Sequence, residues 1–66
     1  MSIIDRFSRK FKEIRIKKKL TQEDISFKSG LSVYYVSKVE RGQANPSLKT
    51  IEKIAQALNV SIKDLF

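Results

Sequence analysis

Apolar residues recur along this chain at intervals of three and four positions, and charged or polar residues fill most positions between them. This is the period of an amphipathic α-helix, whereas a half-buried strand alternates every second residue. The apolar stripes consist of Ile4, Phe7, Phe11 and Ile14, then Ile25, then Val36 and Val39, and finally Leu48, Ile51, Ile54, Ala55 and Leu58. Because no segment shows the strand alternation, the pattern predicts an all-α protein.

Residues that favour helix ends divide these stripes into five predicted helices. A Ser or Thr just before a stripe can cap a helix, because its side-chain oxygen accepts a hydrogen bond from a free backbone N–H. The predicted N-caps are Thr21, Ser32, Ser47 and Ser61. Gly30 and Asn59 suit the left-handed conformation in which many helices end. We therefore expect one compact five-helix domain over residues 1–66, in which the fifth helix is a short turn.

The composition excludes most kinds of active site. The chain has no Cys and no His, which removes the thiolate and imidazole ligands of metals and the commonest general base. No acid pair, Gly-rich phosphate loop or metal-ligand spacing is present either. We expect a protein that is not an enzyme, with no catalytic residue, metal, cofactor or small-molecule ligand.

The charge balance indicates a polyanionic partner. The chain carries 14 Lys and Arg against 7 Asp and Glu, for a net charge of +7. Such an excess on a small domain favours nucleic acid, although basic charge can also serve solubility alone. No apolar run approaches the roughly 18 residues that span a bilayer, and charged residues interrupt the N-terminal segment where a signal peptide would be apolar. We expect no membrane contact and a cytoplasmic, nucleoid-associated protein of bacterial or phage type.

Residues 21–41 have the layout of a helix-turn-helix unit. A short helix over residues 21–29 is followed by a turn that contains Gly30 and by a helix over residues 32–41. Two helices joined by a turn of three or four residues form this unit, and its second helix enters the major groove of DNA.

Several motifs in register make the comparison more specific. They are TQ at 21–22, VSKVERG at 36–42, NPS at 45–47 and the A..LNVS tail. In this combination the chain resembles the Cro and phage-repressor (XRE) family, and the YVS…VERG segment is also similar to the controller proteins of restriction–modification systems. The resemblance implies a lambda-repressor-like fold in which helices two and three read double-stranded DNA. It also implies a homodimer on a pseudo-palindromic operator.

The resemblance places a set of base-facing residues on helix three: Val33, Tyr34, Ser37, Lys38 and Arg41. Tyr34 could donate to a base or pack on a thymine methyl, whereas Val33 could only meet a methyl. Lys38 and Arg41 could reach guanine or a phosphate. The alternatives are an exposed aromatic at Tyr34 and, for Arg41, a charge that complements the C-terminal end of the helix dipole.

A second set is expected near phosphates: Gln22, Lys28, Ser32, Tyr35, Asn45 and Lys49. Gln22 opens helix two, whose N-terminus offers free N–H groups and a positive dipole end. Tyr35 is adjacent to Tyr34 and must project differently, since successive residues of a helix lie about 100° apart. Its ring could instead belong to the edge of the core.

Two further groups follow from the resemblance. Arg15 and Glu40 are expected to pair across helices one and three, or else to remain separate solvated charges. Ile62, Leu65 and Phe66 belong partly to the core and are weaker candidates for a dimer interface.

Two other functions remain open at this point. A protein-interaction module, such as an antitoxin or a bridging factor, could use the same fold, and exposed tyrosines would suit its interface. A non-specific nucleoid binder would show steep salt dependence and little preference among sequences.

Overall fold

The computed structural model describes residues 2–66, and over that range it contains four α-helices, one short 3₁₀ helix and no strand. The helices are α1 (Ile3–Lys17), α2 (Gln22–Ser29), α3 (Val33–Glu40) and α4 (Leu48–Leu58), and the 3₁₀ helix is Ile62–Leu65. The all-α prediction is confirmed. The prediction of five helices is wrong in one respect, because the last segment forms i→i+3 bonds, as in the 3.0 Å bond from the Asp64 N–H to the Ser61 carbonyl.

Side-chain caps set where the helices begin. Thr21 Oγ1 accepts from the Asp24 N–H at 3.0 Å, and the Asp24 carboxylate accepts from the Thr21 N–H at 2.8 Å. This reciprocal pair satisfies two N–H groups that would otherwise lack partners. Ser32 and Ser47 each accept from the backbone N–H three residues later, in both cases at 3.1 Å.

Left-handed residues set where the helices end. Gly30 follows α2 with φ of 79°, and Asn59 follows α4 with φ of 59°. Lys19, in the connection between α1 and α2, also has a positive φ of 58°. A Lys side chain adopts that conformation at a cost, because its Cβ approaches the neighbouring carbonyl.

All four α-helices contribute to the core, and the 3₁₀ helix packs against α1 and α4. Its buried apolar residues are Phe7, Phe11, Ile25, Val36, Val39, Ile51, Ile54, Ala55, Ala57, Leu58 and Leu65. Phe66 stacks on Phe7 with ring centroids 5.6 Å apart, which ties the last residue of the chain to α1. This core supports α2 and α3 from behind and leaves the opposite surface of α3 open.

None of the helices within residues 2–66 has both the length and the apolar character that crossing a membrane requires.

Candidate nucleic-acid interface

The turn between α2 and α3 is built by short polar side chains. Gly30 ends α2, and the Leu31 N–H donates to Ser29 Oγ at 3.2 Å. The Ser26 hydroxyl donates to the Leu31 carbonyl. These bonds satisfy polar groups of the turn itself, and α3 begins three residues after Gly30.

One face of α3 is buried and the other is open. Val36 and Val39 are 0% and 1% exposed, whereas Tyr34 is 71% exposed. Lys38 lies one turn after Tyr34, and its Nζ is 5.5 Å from the centroid of the Tyr34 ring. A cation over a tyrosine ring at this distance is attracted to the face of the ring. The open face of α3 therefore presents an aromatic ring and an ammonium group side by side.

The other predicted base-facing residues surround this pair. Val33 opens the helix and is 37% exposed, and Ser37 is half-buried. Arg41 is exposed directly after the last residue of α3, and its backbone N–H donates to the Ser37 carbonyl at 3.1 Å. Val33 and Ser37 thus lie in the first and last turns of α3, and Arg41 is its C-terminal cap.

Tyr34 and Tyr35 have different environments. Tyr35 is half-buried and packs against the core, while its neighbour projects into solvent. The 100° step between adjacent helical residues accounts for the difference. Tyr35 therefore lies at the border between the core and the open face.

The predicted phosphate-contacting residues have mixed exposure. Lys28, Ser32, Asn45 and Lys49 are exposed. Gln22 is half-buried, and its Nε2 donates to Glu40 Oε1 at 3.3 Å. The side chain that opens α2 is therefore connected to the end of α3.

Arg15 and Glu40 lie in direct contact. Arg15 Nε donates to Glu40 Oε2 at 2.7 Å and Nη2 donates to Oε1 at 2.8 Å, which is a two-point contact between α1 and α3. Nη1 donates to the Leu20 carbonyl at 2.8 Å. The two side chains are only 14% and 4% exposed. The hydrogen bonds with Glu40 raise the pKa of the Arg15 guanidinium above its ordinary value.

The three residues predicted for a dimer surface divide between core and solvent. Leu65 is fully buried, and Phe66 is half-buried through its stacking on Phe7. Ile62 is 39% exposed. Of the three, Ile62 has the largest exposed fraction.

Comparison with known proteins identifies the family. A family model described as helix-turn-helix matches residues 11–65. The chain belongs to this helix-turn-helix family. The match agrees with the resemblance to the Cro and phage-repressor family, which is thereby confirmed.

Several relatives of this helix-turn-helix protein are controller proteins. The control protein C.BamHI of Bacillus amyloliquefaciens is 45% identical over 60 residues, which cover 89% of this chain and 74% of that protein. The crystal structure of the restriction–modification controller protein C.AhdI from Aeromonas hydrophila has a TM-score of 0.91 at 44% identity, with 96% of each chain covered. The controller protein C.Esp1396I, solved as a tetramer in complex with its natural 35-base-pair operator, has a TM-score of 0.88 at 34% identity, covering 98% of this chain and 96% of that one.

Sequence reasoning missed one contact that organises this region and the partner in another. Buried Ser8 donates its hydroxyl to the Val39 carbonyl at 2.7 Å and so joins α1 to the end of α3. The resemblance indicated that Gln22 can touch helix three, but it did not identify Glu40 as the partner. Ser8 and Arg15 are two helical turns apart on one face of α1. That spacing could have indicated the contact between Ser8 and the end of α3.

Within residues 2–66, no group of three or more Asp and Glu side chains is arranged to hold a metal ion.

Proposed function

We propose that this helix-turn-helix protein is a sequence-specific transcription regulator that binds double-stranded DNA as a homodimer, with α3 in the major groove. The observation that carries the proposal is the open face of α3, where the Tyr34 ring and the Lys38 ammonium lie together in front of a rigid core. A helix that reads DNA needs donors and ring surface on its outer face and firm packing behind it. The net charge of +7 adds long-range attraction to phosphates.

The base-reading roles are assigned by chemistry. Lys38 and Arg41 donate to the O6 and N7 acceptors of guanine, and Tyr34 donates its hydroxyl or covers a thymine methyl. Ser37 can donate to a base or accept from one, and Val33 contributes apolar contact with a thymine methyl. The exposed position of Tyr34 at the start of α3 supports its role as the first reader.

The phosphate-contacting roles belong to the residues around α3. Gln22 and Lys28 lie on α2, Asn45 lies in the loop before α4, and Lys49 lies on α4. Ser32 caps α3, and Tyr35 lies in its first turn. The bond between Gln22 and Glu40 holds the Gln22 side chain beside the N-terminus of α2, where free N–H groups favour an anion. These contacts would fix the register of α3 without reading sequence.

The assembly we propose is a two-fold dimer in which residues 1–66 of each chain form a single helix-turn-helix domain. Two recognition helices about 34 Å apart would meet successive major grooves on one side of the duplex. Similarity to C.BamHI, C.AhdI and C.Esp1396I supports a regulator of the controller-protein type. Ile62 offers exposed apolar surface for the contact between copies.

A second candidate function is binding to a protein through the same domain. The observation that favours it is Phe27, which is 90% exposed on α2 and has no role in the proposed DNA contact. Large aromatic side chains are enriched at interface hot spots.

The Lys38→Ala variant tests the base-reading role. Wild type and variant are each used to select duplexes from a randomised library, and the enriched sequences are compared position by position. We expect the variant to lose preference at one base pair in each half-site, because a bidentate contact contributes about 1–3 kcal/mol of discrimination.

Lys10→Ala on α1 is the matched control, since it removes the same charge from an exposed position away from α3. It should retain the wild-type consensus. An unchanged consensus with Lys38→Ala would reduce Lys38 to a phosphate contact, and absence of any enriched sequence with wild type would favour the protein-binding function.

A further inference from the structure

A polar groove of about 540 Å³ lies between the N-terminal half of α1 and the end of α3. Asp5, Arg9 and Lys12 line it from α1, and Arg41 lines it from the end of α3. Gly42 borders it as well, and a Cβ built on Gly42 would lie 3.4 Å from Asp5 Oδ1. That separation is an ordinary van der Waals contact, and the positive φ of 74° is what favours glycine at this position.

Two contacts fix α1 beside this groove. Ser8 is bonded to the Val39 carbonyl, and Arg15 is bonded to Glu40. Lys12 is four residues after Ser8 and three before Arg15, so all three share one face of α1. This face is directed toward the end of α3, and it holds the stem of Lys12 at the groove.

The groove has a surplus of positive charge that the chain does not neutralise. Arg9, Lys12 and Arg41 form no ion pair within residues 2–66, and the Glu40 carboxylate is already occupied by Arg15. Asp5 is the remaining carboxylate of the lining. Three cations thus face one uncommitted acid, and an anion from outside would complete the site.

Two carbonyls at the end of α3 already accept hydrogen bonds from the chain itself. The Val39 carbonyl accepts from the Ser8 hydroxyl and from the Gly42 N–H, and the Lys38 carbonyl accepts from the Gln43 N–H at 2.9 Å.

We infer that this groove binds a backbone phosphate of the DNA, with Arg9 and Lys12 extending along α1 the contact that begins at Arg41. The inference rests on the proposed function. Arg41 belongs both to the groove and to the end of α3, and phosphates border a helix that lies in the major groove. An arginine fork and a lysine ammonium are the two side chains best suited to a phosphate.

The test compares two double variants of α1. Arg9→Gln with Lys12→Gln removes two charges from the groove, and Lys10→Gln with Lys17→Gln removes two charges from the opposite side of the helix, beside Glu13 and Asp64. Binding to a duplex is followed by fluorescence anisotropy between about 50 and 200 mM salt. Thermal unfolding of each variant shows that it is folded.

The groove variant should lose close to two phosphate contacts. Each contact contributes about 0.9 to the slope of log K against log salt. The ratio of the wild-type binding constant to that of the groove variant should therefore fall about tenfold over the stated salt range. The consensus should not change, because phosphate contacts carry no sequence information. Equal slopes for both double variants would overturn the inference, since the effect would then be general charge.

Two controls are needed. One distinguishes a backbone phosphate from a free anion, and the other distinguishes the groove from the rest of the DNA-binding surface. Inorganic phosphate is titrated into the free protein and into the protein–DNA complex. If the groove binds phosphate with the same affinity in both, it is a free-anion site, and the inference is overturned. The slopes are also measured on a duplex of random sequence. If the wild-type protein binds the consensus and random duplexes equally, the proposed function is contradicted. The difference in salt slope between the two double variants tests the groove on either duplex.

Discussion

Arg15 and Glu40 stabilise the position of the reading helix through a largely buried ion pair. Glu40 is only 4% exposed at its side chain, so loss of its partner would leave a carboxylate charge with little solvent. Removing one member of a buried pair costs roughly 3–5 kcal/mol. A 66-residue domain has a total stability of about 3–10 kcal/mol, which means that this one contact accounts for a large part of the margin.

Arg15→Ala should therefore lower the unfolding temperature strongly, and thermal circular dichroism measures the change. Lys18→Ala is the comparison, because Lys18 is an exposed cation in the same region of the chain. It should change the melting temperature little, as surface substitutions usually do. Equal losses in the two variants would mean that the ion pair does not stabilise the fold.

The sequence predicted the burial of side chains on α3 better than it predicted their contacts with other helices. The burial of Val36 and Val39 and the exposure of Tyr34 follow from helical periodicity, which is local information. The bond between Gln22 and Glu40 could not be predicted, because it depends on the angle at which α2 meets α3. The contacts of the proposed DNA-binding residues with bases and phosphates remain predictions of the resemblance.

At the level of the helices, the loops between them are controlled by a few backbone conformations. Lys19 has φ of 58°, whereas Lys18 beside it has φ of −86°. The left-handed conformation costs an L-residue roughly 1–2 kcal/mol, a cost that glycine does not have. A glycine at this position would also make the unfolded chain more flexible, which offsets about 0.4–1 kcal/mol of the stability gained by removing that cost.

Lys19→Gly should therefore raise the melting temperature by a few degrees, while Lys18→Gly should lower it. Both variants remove one positive charge, so their difference isolates the backbone effect. A difference of about 1 kcal/mol corresponds to roughly 4–8 °C in a domain of this size. The same loss in both variants would mean that the conformation at Lys19 is not strained.

The cap of α2 makes helix stability depend on pH. The backbone N–H of Thr21 donates to the Asp24 carboxylate and lowers its pKa below the ordinary value. A carboxyl group with a lowered pKa in the folded state contributes stability above its unfolded pKa and loses it as the pH falls through the folded pKa.

Asp24→Asn should thus lower the melting temperature at neutral pH and have little effect at pH values below the ordinary aspartate range. Glu23→Gln is the control, since it removes a charge from the same first turn without breaking the Thr21–Asp24 pair. The difference in melting temperature between wild type and Asp24→Asn should shrink as the pH falls. If that difference stays constant across the acid range, the role of the ionised carboxylate is contradicted.

Helix boundaries were the part of the fold that sequence predicted best. Thr21, Ser32 and Ser47 cap helices as their positions indicated, because a cap needs only its neighbouring residues. The C-terminal segment was assigned as a fifth helix but forms a 3₁₀ turn. Its conformation is set by the packing of Leu65 and Phe66 on the core, which no local pattern reveals.

The whole molecule combines a small rigid core with a net charge of +7. That charge would draw the protein to any duplex, and the open face of α3 would decide among sequences. Dimerisation would double the number of base contacts and would also stabilise each chain by mass action. The geometry of the dimer could not be predicted, because it depends on a surface formed only after folding, of which Ile62 is the exposed apolar part.

The proposed function requires α3 to read a particular DNA sequence. The most direct test is selection of duplexes from a randomised library by the wild-type protein, followed by titration of the enriched and random duplexes at two salt concentrations. We expect a pseudo-palindromic consensus with half-sites about 34 Å apart and a preference for it over random DNA that persists at the higher salt. Absence of a consensus, with affinity for every duplex falling equally as salt rises, would contradict the proposed function and leave a protein that binds DNA by charge alone.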